Sequence, residues 1–173
     1  MTLSESDHPS KAQTSQPLGP EGRLRAIGLS LPDLAPKPIG AFKNVRQVGA
    51  LVFVSGQGPV LPDGTLKCGK VGLDVSDEDA RGHARLVAIN ILSALRAHVG
   101  SLDKINGVVK LLGMVNAVPE FANHPYVIDG ASELLTEVFG AEDGVHARSA
   151  FGVGSLPNQI TVEIEAVFET RLD

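Results

Sequence analysis

Apolar residues recur at three- and four-residue spacing through residues 76–99: Ala80, Ala84, Val87, Ala88, Ile91, Leu92, Leu95 and Val99. That spacing draws one stripe along an amphipathic helix about 34 Å long. Ser76 supplies a cap, Asp77, Glu78 and Asp79 put anions at the positive end, and Gly100 stops the helix. A second helix is predicted over 125–139, with Val127, Ala131, Leu134, Leu135 and Val138 on one side and Gly140 after it. Between them, residues 108–118 are almost wholly apolar and predict a central strand covered on both faces. Residues 160–169 alternate instead. Ile160, Val162, Ile164, Ala166 and Phe168 fall on one face, with Thr161, Glu163, Glu165 and Glu169 on the other. Shorter strands are predicted at 42–48, 51–54 and 147–154, and Pro62-Asp63-Gly64 is a turn.

The resulting order, β-β-α-β-α-β-β, predicts an α+β class, with both helices on one face of a sheet. The other face then has nothing in the chain to cover it. Leu111 or Leu112 and Val115, beside the carboxylates of the last strand, make that face partly apolar, which points to a homo-oligomer. Ahead of this body, residues 1–19 are polar and read as a tail. A short helix is predicted over 21–30, with Leu24, Ile27 and Leu29 facing the domain, then an extended connector holding Pro32, Pro36 and Pro38. The chain thus divides into an extension, residues 1–35, and a domain, residues 36–173.

Charge and cysteine content narrow the chemistry. The net charge is −5 with no basic run, which argues against a nucleic-acid backbone as the main ligand. No apolar run reaches the roughly 18 residues of a membrane span, and residues 1–15 carry no secretory pattern, so the cytoplasm is the expected location. The single cysteine, Cys68, can make neither an internal disulfide nor a Cys-based zinc site. The five histidines have no metal-ligand spacing, and no metal is expected.

Arg148 stands out. It lies in the apolar stretch Ala147-Arg148-Ser149-Ala150-Phe151, and a guanidinium placed there requires an anion. Glu163 or Glu165 on a neighbouring strand, or a ligand carboxylate or phosphate held by two hydrogen bonds, would each serve. Glu163 and Glu165 share a strand face and are also candidates for acid–base work. Phe42 and Phe151 are candidate pocket walls, and the backbone at Ser55-Gly56-Gln57-Gly58 lies open at a strand end.

Taken in order, several segments resemble the Rid family of reactive intermediate deaminases, also called YjgF or L-PSP-like proteins. They are Pro38-Ile39-Gly40, Val48-Gly49, Leu51 to Gln57, Asn90, Ala147-Arg148-Ser149-Ala150, Leu156-Pro157 and Val162 to Ala166. The resemblance implies a chorismate-mutase-like fold, a homotrimer with pockets between subunits, and hydrolysis of 2-imino or enamine acids to 2-keto acids and ammonia without a cofactor. It implies that Arg148 holds the substrate carboxylate and Glu163 positions a water. Phe42, Ser55, Gly56, Asn90 and Ala150 would line the pocket. Phe42 stands where deaminating members commonly carry a tyrosine. A trimer that binds a small carboxylate without turnover is the alternative expectation. The RNA cleavage and translation inhibition mentioned in family names fit an acidic, aromatic-poor chain less well.

Overall fold

The computed structural model describes residues 18–32, 35 and 37–171. Helix α1 (Pro20–Ala26) leads into the hairpin β1 (Val45–Val48) and β2 (Leu51–Gln57); then follow α2 (Asp77–Val99), β3 (Ile105–Asn116), α3 (His124–Asp143), β4 (Ala147–Val153) and β5 (Val162–Thr170). The five strands form one sheet in the order β1-β2-β5-β3-β4. All neighbours are antiparallel except β3 and β4, which run parallel. The α3 crossover between those two strands is what makes a parallel pair possible.

Both long helices lie on one face of the sheet, as the apolar stripes require. Ser76 Oγ accepts from Asp79 N at 3.0 Å, so α2 starts where its cap predicts. Ile91, Leu92 and Leu95 of α2, Ile128, Leu134 and Leu135 of α3, and Leu111, Ile164 and Phe168 of the sheet are fully buried between the layers. The helices touch closely at Gly130, where an added Cβ would lie 2.1 Å from the Arg81 carbonyl oxygen. Arg81 and Arg85 then reach across to Glu133 and Glu137 at 2.5 and 2.8 Å.

Four expectations shift. The first strand begins at Val45, so Phe42 lies in the loop before it. The central strand starts at Ile105 and stops at Asn116. Val115 belongs to the helix-covered face, because alternation puts it with Leu111 and Gly113. Leu112 and Met114 take the open face, opposite Glu165 and Glu163. The second long helix extends to Asp143, interrupted at Gly140, whose φ of 94° breaks the turn.

Helix α1 ends at Ala26 and docks on the body. Leu24 and Leu31 are buried, while Ile27 is exposed. Glu21 N donates to Asp103 Oδ1, and Glu21 Oε1 accepts from Leu102 N, both at 3.0 Å. No helix among the described residues is long and apolar enough to cross a membrane.

Candidate functional site

Glu163 sits on the open sheet face at the floor of a cavity of about 240 Å³, walled by Pro38, Ile39, Phe42, Leu66 and Ile160. The register between β2 and β5 slips between Val54 and Gln57, so β2 carries a bulge at Ser55-Gly56. A glycine is needed at the bulge: an added Cβ on Gly56 would meet Glu163 Oε1 at 2.1 Å. Burial, and then the neighbouring Glu165 charge, push the Glu163 carboxyl above its ordinary range. A half-buried carboxyl in that condition can exchange protons nearer neutral pH than a solvated one.

Around the cavity, hydrogen bonds fix the backbone. Ser55 Oγ donates to Lys43 O at 2.8 Å, and Ser55 N to Asn44 O at 2.8 Å. The Asn90 amide nitrogen donates to the carbonyls of Gly58 and Val60, both at 3.0 Å. Ser55 and Asn90 therefore shape the wall through backbone contacts, whereas Phe42, Gly56 and Glu163 line it directly.

Arg148 lies elsewhere. It pairs in register with Leu111, and Ala150 with Gly113, so both residues belong to the helix-covered face at the sheet's β4 edge. Arg148 Nη1 donates to Asp129 Oδ1 at 2.6 Å and to Ser132 Oγ at 3.0 Å, both on α3. The internal anion is thus Asp129, and neither Glu163 nor Glu165. His146 completes the cluster. Its Nδ1 is 2.7 Å from Gly144 O, and its Nε2 is 3.1 Å from Ser132 Oγ. One tautomer satisfies every contact: Nδ1–H donates to Gly144 O, Nε2 accepts the Ser132 hydroxyl, and Ser132 Oγ accepts from Arg148. Burial holds the imidazole's pKa below its usual value, and the Arg148 charge adds to that.

Within one chain, then, Phe42, Gly56 and Glu163 come together, while Arg148 and Ala150 face away from them. Asp129, Ser132 and His146 are contacts that the sequence reading missed. A signal existed: Asp129 and Ser132 are three residues apart on one helix face, and His146 lies two residues before Arg148, just ahead of β4.

Comparison with known proteins places this architecture. Residues 21–165 match a family model described as "YjgF/chorismate_mutase-like, putative endoribonuclease". Protein TCP17 of Trypanosoma cruzi is 37% identical over 146 residues, 84% of this chain and 91% of that one. A 2-iminobutanoate/2-iminopropanoate deaminase of Dermatophagoides farinae is 31% identical over 136 residues, 78% of this chain and 89% of that one. The crystal structure of Atu1372 from Agrobacterium tumefaciens superposes with a TM-score of 0.78 at 41% identity, covering 88% of this chain and 94% of that one. With its five-stranded mixed sheet backed by helices, the chain belongs to the YjgF/chorismate-mutase-like family.

Proposed function

We propose that this protein hydrolyses reactive 2-imino or enamine acids to 2-keto acids and ammonia, at a cleft shared by two copies in a homotrimer. The observation that carries the reading is Glu163, a half-buried carboxyl with a raised pKa at the floor of an apolar cavity. Support for a deaminase comes also from the relative of Dermatophagoides farinae that bears that name.

In this reading the open sheet face, with Val48, Leu51, Phe53 and Phe151 exposed, packs against its neighbours. Arg148 of one copy reaches the Glu163 cavity of the next and holds the substrate carboxylate with two charge-assisted hydrogen bonds. Glu163 takes a proton from a water as the water's oxygen bonds to the imine carbon. It returns the proton to nitrogen, giving a carbinolamine, and then carries the hydroxyl proton of that carbinolamine to the nitrogen as the carbon–nitrogen bond breaks, which leaves the 2-keto acid and ammonia. An enamine would first take a proton at its β-carbon. A carboxyl whose pKa is raised by burial is a stronger base once ionised, which suits it to take the proton of a water.

A second reading has specific support. Phe42 offers no hydroxyl at the cavity wall, and Asp129 already engages Arg148. The missing hydroxyl suits a trimer that binds a small carboxylate without turning it over, and the Asp129 pair weakens the grip of Arg148 on a carboxylate equally in both readings.

The discriminating experiment generates imino acids in situ with an amino-acid oxidase and follows their loss. Wild type accelerating that loss, with Arg148→Ala and Glu163→Gln each abolishing the effect, supports the enzyme. Binding of 2-keto acids that Arg148→Ala abolishes, with no acceleration for any imine, supports the binder instead.

A further inference from the structure

The Glu163 cavity does not end at its own wall. A second cavity of about 550 Å³ adjoins it, and the two share Lys37, Ile39, Val60, Leu66 and Asn158 as lining. Together they offer far more room than the smallest imino acids need, and reach the roughly 300–1,000 Å³ typical of sites for larger ligands.

The second compartment is held by contacts that fix both sides. Its outer wall includes Pro32 and Ala35, from the segment that follows α1. Ser93 Oγ donates to Pro32 O at 3.0 Å, and Arg96 Nη2 to Leu31 O at 3.4 Å, while the Leu31 side chain is buried. These bonds tie Leu31 and Pro32 to α2. The inner wall includes Val60 and Leu61, and the Asn90 amide clamps the Val60 carbonyl from the same helix. Helix α2 therefore anchors one residue of each wall, Pro32 and Val60, and that part of the compartment does not have to be ordered by its ligand.

Its surface is chiefly apolar. Among the described residues, Pro32, Ala35, Ile39, Val60, Leu61 and Leu66 face the space, and the charged lining is the exposed Lys37 and Asp63. An uncharged aliphatic or aromatic group fits that lining, and a second carboxylate deep inside it does not.

We infer that the preferred substrate is a 2-imino or enamine acid with a bulky apolar side chain, of the size derived from leucine, methionine or phenylalanine. The reacting end lies over Glu163, and the side chain passes between Ile39 and Leu66 into the second compartment. The inference rests on the deaminase reading for the reacting group. The segment after α1 then has a function as one wall of a specificity pocket.

Selectivity follows from the walls. Each methylene that fills a hydrophobic pocket typically changes kcat/KM by tenfold or more. Imines are generated in situ from leucine, methionine, phenylalanine and alanine with the full chain present, and the rate of imine loss is measured. The leucine-derived imine is expected to show a kcat/KM about tenfold or more above the alanine-derived one. Leu61→Trp and Ala35→Trp, which place an indole in the second compartment, are each expected to bring that ratio down toward unity. Equal wild-type kcat/KM for long and short imines overturns the inference while leaving the deaminase reading intact. Calorimetric binding of 4-methyl-2-oxopentanoate and pyruvate supplies an arm that needs no turnover. Tighter binding of the longer acid supports the compartment even if no imine is hydrolysed, and equal binding overturns it.

Discussion

Arg148 Nη1 and Asp129 Oδ1 lie 2.6 Å apart, so the cation most suited to a ligand carboxylate already faces a carboxylate of its own chain. The Asp129 side chain is 42% exposed, against 22% for Arg148, which places the pair at the rim of the fold. Ion pairs this accessible contribute roughly 0.2–1 kcal/mol. A ligand that must displace Asp129 loses about that much affinity. Asp129→Asn is therefore expected to tighten 2-keto acid binding by up to about fivefold. Calorimetry with wild type and variant checks it. Weaker binding by the variant would make Asp129 the group that aims the guanidinium.

Glu163 is expected to reveal itself in both rate and stability. Removing a group that moves a proton costs about a hundredfold or more in rate. Glu163→Gln should lower turnover on that scale. The stability effect runs the other way. Burial raises the folded-state pKa above the unfolded value, so the native state binds the proton more tightly. Stability is complete below the ordinary carboxyl range and is lost as pH rises through the raised value. Glutamine never ionises, so the variant should melt higher than wild type at pH 7, with the difference closing in acid. Thermal melts across pH settle the sign. A variant less stable at pH 7 would show that the carboxylate is held by a favourable partner.

The elements were legible because each carries its own period. Ser76 and the stripe through Leu95 define α2 with no knowledge of the rest of the chain. The alternation in β5 correctly places Glu163 and Glu165 opposite Ile164 and Phe168. Pairing was not legible. Whether Arg148 meets Glu163 or Asp129 depends on which face of β4 turns toward α3. That is fixed by the parallel register of Arg148 against Leu111, two residues far apart in sequence. The irregularity between Val108 and Lys110 in β3 has no signature in the residues themselves. The bulge at Ser55-Gly56 left only a glycine as a trace, and the close approach of Glu163 supplies its reason.

Two glycines should separate function from stability. At Gly56 an added Cβ meets the end of a flexible side chain, Glu163 Oε1. The carboxylate can swing aside, so Gly56→Ala should fold with little loss of stability, and turnover should fall sharply because the carboxyl no longer sits at the cavity floor. At Gly130 the Cβ meets the Arg81 carbonyl, which is backbone within a packed helix. Relief there requires α2 and α3 to separate, at about 1–3 kcal/mol. Gly130→Ala should therefore lower the melting temperature by several degrees. Paired melts and rate measurements test the contrast, and a Gly56→Ala that keeps full turnover would remove Glu163's position from the mechanism.

The separation of Arg148 from Glu163 within one chain makes the shared cleft directly testable. Phe53 is 43% exposed on the open face, in register with Val167 of β5 and Arg46 of β1. In the proposed trimer a carboxylate at that position is desolvated by subunit packing, so wild type is expected to have the mass of three chains in solution and Phe53→Glu that of one, 18.1 kDa. It should abolish turnover with the fold intact. Complementation gives the sharper result. Arg148→Ala and Glu163→Gln are each expected to be inactive alone. In trimers assembled from an equal mixture, some clefts receive the intact arginine of one copy and the intact glutamate of its neighbour. Random assembly makes about a quarter of the clefts whole, so activity should return to about that fraction of wild type. A site built from a single chain would recover nothing, because every chain in the mixture then carries one broken half.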